Sequence, residues 1–456
     1  MVRIAEKYRS DHRESSVRGA AAQRKPEKGF AVHLATITFV LLVARVVIPA
    51  TWVVADEEMY VISDSAALLN KVSWLSFLAV SAVLVFSRSA SALRLLRATN
   101  PFFLALLACA ACSVLWSIDS VATLARLFHL FIVVLCCAAV TLVGWQPRRF
   151  QETVRLAFTL LLAGSLIFGL VAPELAIQAA VPPDTKDSWR GLADQKNQLG
   201  AIASMGTILW FHGWAVREVK AVPALIWGSI SATLLFLSRS STNLLATVLV
   251  CVFLLLLLRS NRGIRLFMPY VIGAFATVTI VYSLAVLGVV PALDVLLEPI
   301  STLTGKDRTF SNRTEIWAVL REHISLSPIL GSGYGAYWTG PFPSSPSYIF
   351  ISRIFFYPGE CHNGYLEIIN DLGYVGLVLL LGYLWKFLRG ALDLLKSHYS
   401  QAGLYIALLF QQLLTNLSES HWFFISTDLI MFTLATLCMV RSLAEAPGRP
   451  LARLRI

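Results

Sequence analysis

A succession of long apolar segments runs through this chain of 456 residues and constrains its fold more than any other feature. A helix that crosses a bilayer needs about 20 mostly apolar residues. Hydropathy by that criterion predicts about twelve such segments. They begin near Phe30, Val72, Pro101, Thr123, Thr153, Asn197, Ala221, Ser241, Leu266, Leu372, Ala402 and Trp422. Because these segments take up most of the chain, the sequence predicts an all-α polytopic membrane protein with no large soluble domain.

The basic residues predict how the chain is oriented in the membrane. Only 14% of the residues are charged, against roughly 25% in soluble proteins. With the N-terminus placed inside, 26 of the 38 Lys and Arg residues fall in the two tails and the inside loops. The positive-inside rule then predicts an N-in/C-in topology. The net charge of +11 is therefore topological, and the absence of a basic stripe with interleaved aromatics argues against nucleic-acid binding.

The predicted spans divide the chain into five parts with two long outside loops. The parts are a disordered basic cytoplasmic tail (1–29), nine transmembrane helices with an outside loop at 173–196 (30–291), a large outside loop (292–362), the last three transmembrane helices (363–441) and a cytoplasmic tail (442–456). Outside loops of this length are uncommon in a compact protein and are usually functional.

The large outside loop contains helical and irregular patterns. Asn312 and Glu315 form a capping-box pattern, and apolar residues recur behind it at helical spacing. This predicts an amphipathic helix of about three turns that lies on the membrane or on the helical bundle and ends near Pro328. The glycine-rich segment from Gly331 to Pro346 lacks the strand before it and the helix after it that a phosphate-binding loop needs. It is therefore expected to be a flexible lid or a packing loop.

Four polar clusters lie in the outside segments, and three of them supply cations. The clusters span residues 189–200, 238–242, 306–313 and 360–371, and their cations include Arg190, Lys196, Arg239, Arg308 and Arg313. Guanidinium groups bind phosphate in a bidentate way, and free N–H groups at the start of the predicted helix favour an anion beside Arg313. The clusters thus predict a diphosphate site at the membrane surface. Two alternatives remain open: salt bridges to Asp184, Asp187, Asp194 and Asp307, and an Arg239 side chain that snorkels to lipid phosphate.

The fourth cluster supplies a candidate for proton transfer. His362 has an ordinary pKa near neutrality and is expected to orient or deprotonate a substrate hydroxyl. Asn363, Glu367 and Asp371 follow it at a spacing that places them on one helix face. No HExxH motif surrounds His362, and the CxxC of Cys109 and Cys112 lies in an apolar segment without a second pair, so no metal is expected.

In this order along the chain, the clusters resemble the O-antigen ligase and polysaccharide polymerase family of bacterial inner-membrane proteins. The matching motifs are Arg190 with Asp-Gln-Lys196-Asn197-Gln-Leu-Gly200, Ser238-Arg239-Ser240, the segment from Gly305 to Trp317, and His362-Asn363-Gly-Tyr-Leu-Glu367 with Gly373 downstream. The resemblance covers roughly residues 30 to 440. Asn312 stands where such segments often carry Gly, and Gln195 stands where an acidic or basic residue is expected, so polymerase and ligase both remain open.

The resemblance implies a metal-independent glycosyl transfer, without a cofactor, on the periplasmic face. The donor would be a glycan on undecaprenyl diphosphate, and the acceptor another lipid-linked repeat unit (polymerase) or lipid A-core (ligase). The implied catalytic residues are His362, Arg313 and Arg190, and the implied substrate-binding residues are Arg239, Lys196, Asn197, Asn363, Glu367 and Arg308. A flippase and a chain-length regulator are the implied protein partners. A lipid-linked glycan transporter and a membrane scaffold remain as alternatives of other classes.

Overall fold

The structure, a computed structural model, describes residues 29–49, 64–178, 187–259, 262–286 and 313–445. The predicted N-terminal tail, most of the C-terminal tail and the first part of the large loop lie outside the described residues. Arg308, Asp184 and Asp307 also lie outside the described residues.

The described chain is predominantly helical. Its first half contains α1 (Phe30–Val47), α2 (Asp64–Phe86), α3 (Ser89–Ala98), α4 (Pro101–Cys112), α5 (Ser120–Leu142), α6 (Arg149–Val171), the short α7 (Pro173–Ala176), and an antiparallel pair of two-residue strands, β1 (Ile177–Gln178) and β2 (Ser188–Trp189). Its second half contains α8 (Lys196–Ala215), α9 (Ala221–Leu237), α10 (Ser241–Arg259), α11 (Arg262–Val286), α12 (Arg313–Ile324), α13 (Ile349–Ile354), α14 (Gly364–Leu394), α15 (Tyr399–Thr415) and α16 (Thr427–Glu445). Single-turn 3₁₀ helices occur at Ser113–Leu115 and Pro346–Tyr348.

The all-α polytopic membrane fold is confirmed, whereas the number of spans stays a prediction. Among the described residues, seven helices are long and apolar enough to cross a membrane, and eight if α3 and α4, bent by 101°, form one span. All but the last of the twelve predicted segments begin inside a described helix; α16 begins at Thr427 instead of near Trp422. Of the other predicted spans, α8, α9 and α15 are helices too short or too polar for that criterion, and α11 contains the apolar stretch Phe267–Thr279 among the described residues.

Helix α16 forms the centre of the bundle. In α16, 89% of the candidate span is buried, against 28% in α2. It packs against α1, α3, α5, α6, α14 and α15. Large apolar side chains on the peripheral helices are exposed, for example Leu69 and Leu225 at 71% each. A bilayer would cover this surface, since lipid-facing side chains remain apolar.

The amphipathic helix predicted in the large outside loop is present as α12. It begins at Arg313, directly after the predicted cap. Ile316, Trp317 and Leu320 are buried, and α12 packs against α14. The Trp317 indole Nε1 donates a hydrogen bond to the Cys361 carbonyl at 2.9 Å. The apolar face of α12 therefore packs on the helical bundle, which is one of its two predicted locations, and not on the membrane surface.

Helix α14 is broken where the sequence predicted the tenth span to begin. Gly373 has φ 65° and ψ −167°, a backbone conformation that is essentially restricted to glycine. The residues from Gly364 to Gly373 are all buried, and lipid-type exposure starts at Tyr374, which is 47% exposed. The break thus separates a polar half-helix enclosed by protein from an apolar half that can face lipid.

The segment 328–338, hereafter the strap, supplies hydrogen bonds that the broken helix lacks. Ser332 N and Gly333 N donate to the carbonyls of Asn370 and Asp371 at 2.8 and 2.9 Å. On the other side of the break, Tyr374 N donates to the Pro328 carbonyl at 2.9 Å. Irregular backbone in a membrane protein needs such internal partners. Residues 331–338 are all buried, so this segment packs rather than acting as a lid.

Candidate active site

His362 lies at the start of the enclosed half-helix, in a strained backbone conformation. Its φ is 51°, in the left-handed region, which typically costs on the order of 1–3 kcal/mol outside glycine. The next residue, Asn363, is the N-cap of α14, and its Oδ1 accepts from Tyr365 N at 3.0 Å and Leu366 N at 3.1 Å. His362 therefore directly precedes a capped helix start, and its side chain keeps 17% of its surface exposed.

Two carboxylates face the same imidazole nitrogen of His362. Its Nδ1 lies 3.0 Å from Glu360 Oε1 and 3.6 Å from Glu419 Oε2. Burial alone would lower the pKa of His362, but the negative charges of Glu360 and Glu419 beside Nδ1 outweigh burial and raise it to about 10. His362 is therefore a cation at neutral pH.

Glu419 connects His362 to two of the other predicted clusters. Its Oε1 accepts from the Asn197 side-chain amide at 2.7 Å and from Arg313 NH2 at 3.0 Å. Burial would raise the pKa of Glu419, but the nearby His362 imidazole and the charge of Arg313 lower it overall. Three residues that the sequence placed in separate outside clusters thus meet at one ionised carboxylate.

Sequence reasoning missed Glu419. It lies in the connection between α15 and α16, close to the predicted start of the last span, and no cluster was assigned there. The signal was present in Glu419-Ser420-His421, an acidic and a basic residue in a turn between apolar segments. The same pattern had singled out Glu360 and His362.

The turn that carries Glu419 is docked on the beginning of α14. Gly364 N donates to the Asn416 carbonyl at 2.9 Å, and Asn363 N donates to the Ser420 hydroxyl at 3.3 Å. A Cβ at Gly364 would stand 2.0 Å from Asn416 Oδ1, a distance that no side chain tolerates. A glycine at this position therefore permits the approach that places Glu419 beside His362.

The turn between α9 and α10 that carries Arg239 reaches the cluster through α8. Asn243 Nδ2 donates to Ser240 Oγ at 2.9 Å and to the Asn197 carbonyl at 3.4 Å. Gly200 on α8 allows the close contact, since a Cβ there would meet the Ser240 Cβ at 2.7 Å. The second predicted cluster is thus coupled to Asn197, and through it to Glu419.

Arg239 itself lies at an open groove on this hairpin. It has φ 51° and an exposed side chain, and the groove is also lined by Asp187 and the apolar residues Leu235, Phe236, Leu237 and Leu244. A groove that combines apolar walls with a guanidinium suits an amphiphile whose charged end is an anion. The Asp187 carboxylate in the same groove keeps the predicted salt-bridge alternative relevant for Arg239.

Arg190 and Lys196 border the cluster through backbone elements. Arg190 Nε donates to the Leu175 carbonyl at 2.8 Å, and its NH1 donates to the Asp194 carbonyl at 3.4 Å. Arg190 therefore ties together the loop before α8. Lys196 is the first residue of α8 and directly precedes Asn197. Both cations therefore lie at the N-terminal end of α8, the helix that carries Asn197.

Asn363 and Glu367, predicted to bind substrate, are both engaged with backbone amides. Asn363 caps α14 and is fully buried. Glu367 is 4% exposed, and its Oε2 accepts from Cys361 N at 3.1 Å. Asp371, one turn further, accepts from Gly335 N of the strap at 2.7 Å. These contacts hold the segment that bears His362.

Three side chains at the centre of the cluster have the spacing of metal ligands. One ligand atom each from Glu360, His362 and Glu419 lie within 4.8 Å of one another. Carboxylate and imidazole groups are common ligands of divalent metals. Both carboxylates, however, already face a cation, namely Arg313 for Glu419 and the imidazolium of His362 for both. The cluster is therefore charge-balanced by its own side chains.

Fold and cluster together define a polytopic helical membrane protein with a charged site at the end of its bundle, and comparisons with known proteins agree. Residues 224–381, which include Arg239, Arg313 and His362, match the O-antigen ligase family model. The chain is 27% identical over 261 residues to the exopolysaccharide production protein ExoQ of Rhizobium meliloti (strain 1021), a match that covers 54% of each chain. The chain thus spans about half the length of the curated relative. These similarities support the resemblance to the O-antigen ligase and polysaccharide polymerase family that the motifs predicted.

Proposed function

We propose that this protein polymerises glycan repeat units carried on undecaprenyl diphosphate, at the periplasmic face of the bacterial inner membrane. The observation that carries the proposal is the convergence of Asn197, Arg313 and His362 on the Glu419 carboxylate. The inside bias of the basic residues supports the periplasmic location of this end of the bundle. The relative ExoQ is an exopolysaccharide production protein, which favours polymerase over ligase.

The transfer breaks the bond between the anomeric carbon of the donor glycan and the diphosphate oxygen, and forms a bond from that carbon to the acceptor hydroxyl oxygen. Negative charge grows on the leaving diphosphate. Arg313 and Arg239, with Arg190 and Lys196 in support, would stabilise this charge electrostatically. The groove at Arg239 would receive the lipid end of the donor. Desolvated donors aimed at developing charge typically contribute about 10²–10³-fold each.

His362 and Glu360 have different roles at the acceptor: His362 orients groups by donating a hydrogen bond, and Glu360 accepts the hydroxyl proton. Of the two roles predicted for His362, its raised pKa favours the hydrogen-bond donor that orients the acceptor or the diphosphate, because the imidazole is already protonated at neutral pH. The acceptor hydroxyl proton would pass to the carboxylate of Glu360, 3.0 Å from the imidazolium. One carbon–oxygen bond breaks and another forms, and Glu360 takes the hydroxyl proton, so the transfer needs no further reagent.

The pH dependence of transfer follows from this division. His362 must be protonated, so activity is expected to hold through neutral pH and to fall only as the pH rises towards about 10, where the folded imidazolium loses its proton. Initial rates measured between pH 6 and 10.5 with purified protein check this. A rate that climbs steadily to pH 10 would instead make neutral His362 the base.

Removal of metal ions is expected to leave the activity unchanged. Arg313 and the His362 imidazolium neutralise the two carboxylates, so a divalent ion is not needed for charge balance. Dialysis against EDTA followed by the transfer assay tests this expectation. A loss of activity that manganese or magnesium restores would assign Glu360, His362 and Glu419 to a metal.

The glycan profile of a deletion strain tests the proposed function against its alternatives. Loss of long polysaccharide, with single repeat units left on the carrier lipid, is the result expected of a polymerase. Free polymer on its carrier lipid, without polymer on lipid A-core, would indicate a ligase. Repeat units that accumulate on the cytoplasmic side of the membrane would indicate a transporter, and an unchanged profile would contradict all three.

A further inference from the structure

We infer that Glu419 is a positioning residue of the transfer site, which holds the Arg313 guanidinium and the His362 imidazole in their working orientation. The inference rests on the proposed function and adds a residue that lies outside the region matched by the family model, 224–381. Glu419 need not touch the reacting atoms, because its contacts are with groups that do.

The two oxygens of Glu419 have separate partners. Oε1 accepts from Asn197 Nδ2 at 2.7 Å and from Arg313 NH2 at 3.0 Å, while Oε2 faces His362 Nδ1 at 3.6 Å. The Glu419 side chain is 5% exposed, and that of Arg313 is 20% exposed. One terminal nitrogen of the guanidinium is thus held from the protein side, while part of the Arg313 side chain remains exposed.

Glu419 joins segments that are far apart in the chain. Asn197 begins α8, Arg313 begins α12 and His362 precedes α14. An Arg side chain has many rotamers, and ordering it costs free energy that a preformed contact offsets before substrate arrives. Because the Glu419 turn is docked on Gly364 through Asn416, the carboxylate is fixed relative to α14.

The charge of Glu419 matters as well as its shape. The imidazolium of His362 is faced by Glu360 from its own segment and by Glu419 from the α15–α16 turn, while Arg313 of α12 and His421 lie near Glu419. Neutralising Glu419 removes one of the two negative charges that favour protonated His362. A glutamine at this position keeps the volume and can still accept from Asn197, so it isolates the charge.

The test uses full-length Glu419→Gln and Glu419→Asp proteins in an assay with lipid-linked donor. Glu419→Gln is expected to lower kcat by about 10–100-fold, since small misplacements of site groups cost this much, and to move the alkaline fall in activity to lower pH. Glu419→Asp keeps the charge and should recover part of the rate with the wild-type pH profile. Glu322→Gln, which removes a carboxylate paired with Arg353 on the surface, is the matched control and should behave as wild type.

The outcomes separate this inference from the proposed function. If Glu419→Gln is folded and keeps the wild-type kcat and pH profile while Arg313→Ala is inactive, the inference is overturned and the proposed function stands. If Arg313→Ala is also fully active, the proposed function itself fails. If Glu419→Gln and Glu419→Asp lose activity only in proportion to lost folded protein, Glu419 is merely structural, which also overturns the inference.

Discussion

Replacement of Arg313 or His362 by alanine is expected to abolish polysaccharide formation in cells while leaving the protein in the membrane. Arg313→Ala removes the guanidinium proposed to bind the diphosphate, and His362→Ala removes the second cation of the cluster. Each loss is expected to reduce the transfer rate by about 10²–10³-fold, the range measured when one donor to developing charge is deleted. Gel profiles of surface glycan from complemented deletion strains, with immunoblots of the membrane fraction, give the result.

Controls for these variants are available on the same loop. Arg353 pairs with Glu322 on the surface, and its side chain is 47% exposed, so Arg353→Ala should support normal glycan. Arg313→Lys keeps the charge but loses the planar fork, and it should retain only part of the activity. Normal glycan from both alanine variants would contradict the placement of the site.

The largest expected effect on folding comes from Gly373→Ala. Gly373 combines φ 65° with ψ −167°, and a Cβ there would stand 2.1 Å from the Ile329 carbonyl oxygen, a backbone atom of the segment packed against the break. Neither the strained conformation nor the backbone clash can be relieved by a rotamer change. We expect a loss of at least about 3 kcal/mol of stability, which combines backbone strain with displacement of the strap.

Folded yield after detergent extraction and the apparent Tm report this effect. Gly273→Ala is the matched control, because nothing lies within 4 Å of the Cβ position and the residue is in a helix, where alanine is favoured over glycine. A Gly373→Ala protein with the yield and Tm of Gly273→Ala would mean that the helix break is not required.

Local patterns in the sequence predicted the parts of the site that depend on local structure. The capping pattern at Asn312 and Glu315 predicted where α12 begins, and therefore where Arg313 stands. The run of polar residues before the tenth apolar segment set the expected span start near Leu372, one residue from the break at Gly373. Both features follow from helix capping and hydropathy, which act over a few residues.

The remaining features depend on contacts between distant segments. The Glu419-Ser420-His421 pattern marks a polar turn but not its neighbours, because the role of Glu419 arises only when the α15–α16 turn docks on Gly364. Asn363 and Glu367 share the predicted helix face, but the fold turns their polar groups towards backbone amides. Gly373 belongs to a sequence motif. The need for a glycine there, however, comes from tertiary packing, because the strap is inserted at the helix break.

The most direct test of a single transfer site built from these clusters uses purified protein with an undecaprenyl-diphosphate-linked repeat unit as both donor and acceptor. The expected result is a lipid-linked glycan of two or more repeat units together with released undecaprenyl diphosphate, and neither product from His362→Ala or Arg313→Ala. Lengthening of the glycan by both variants at the wild-type rate would contradict the site. So would a wild-type protein that moves the lipid-linked unit across a vesicle bilayer without lengthening it.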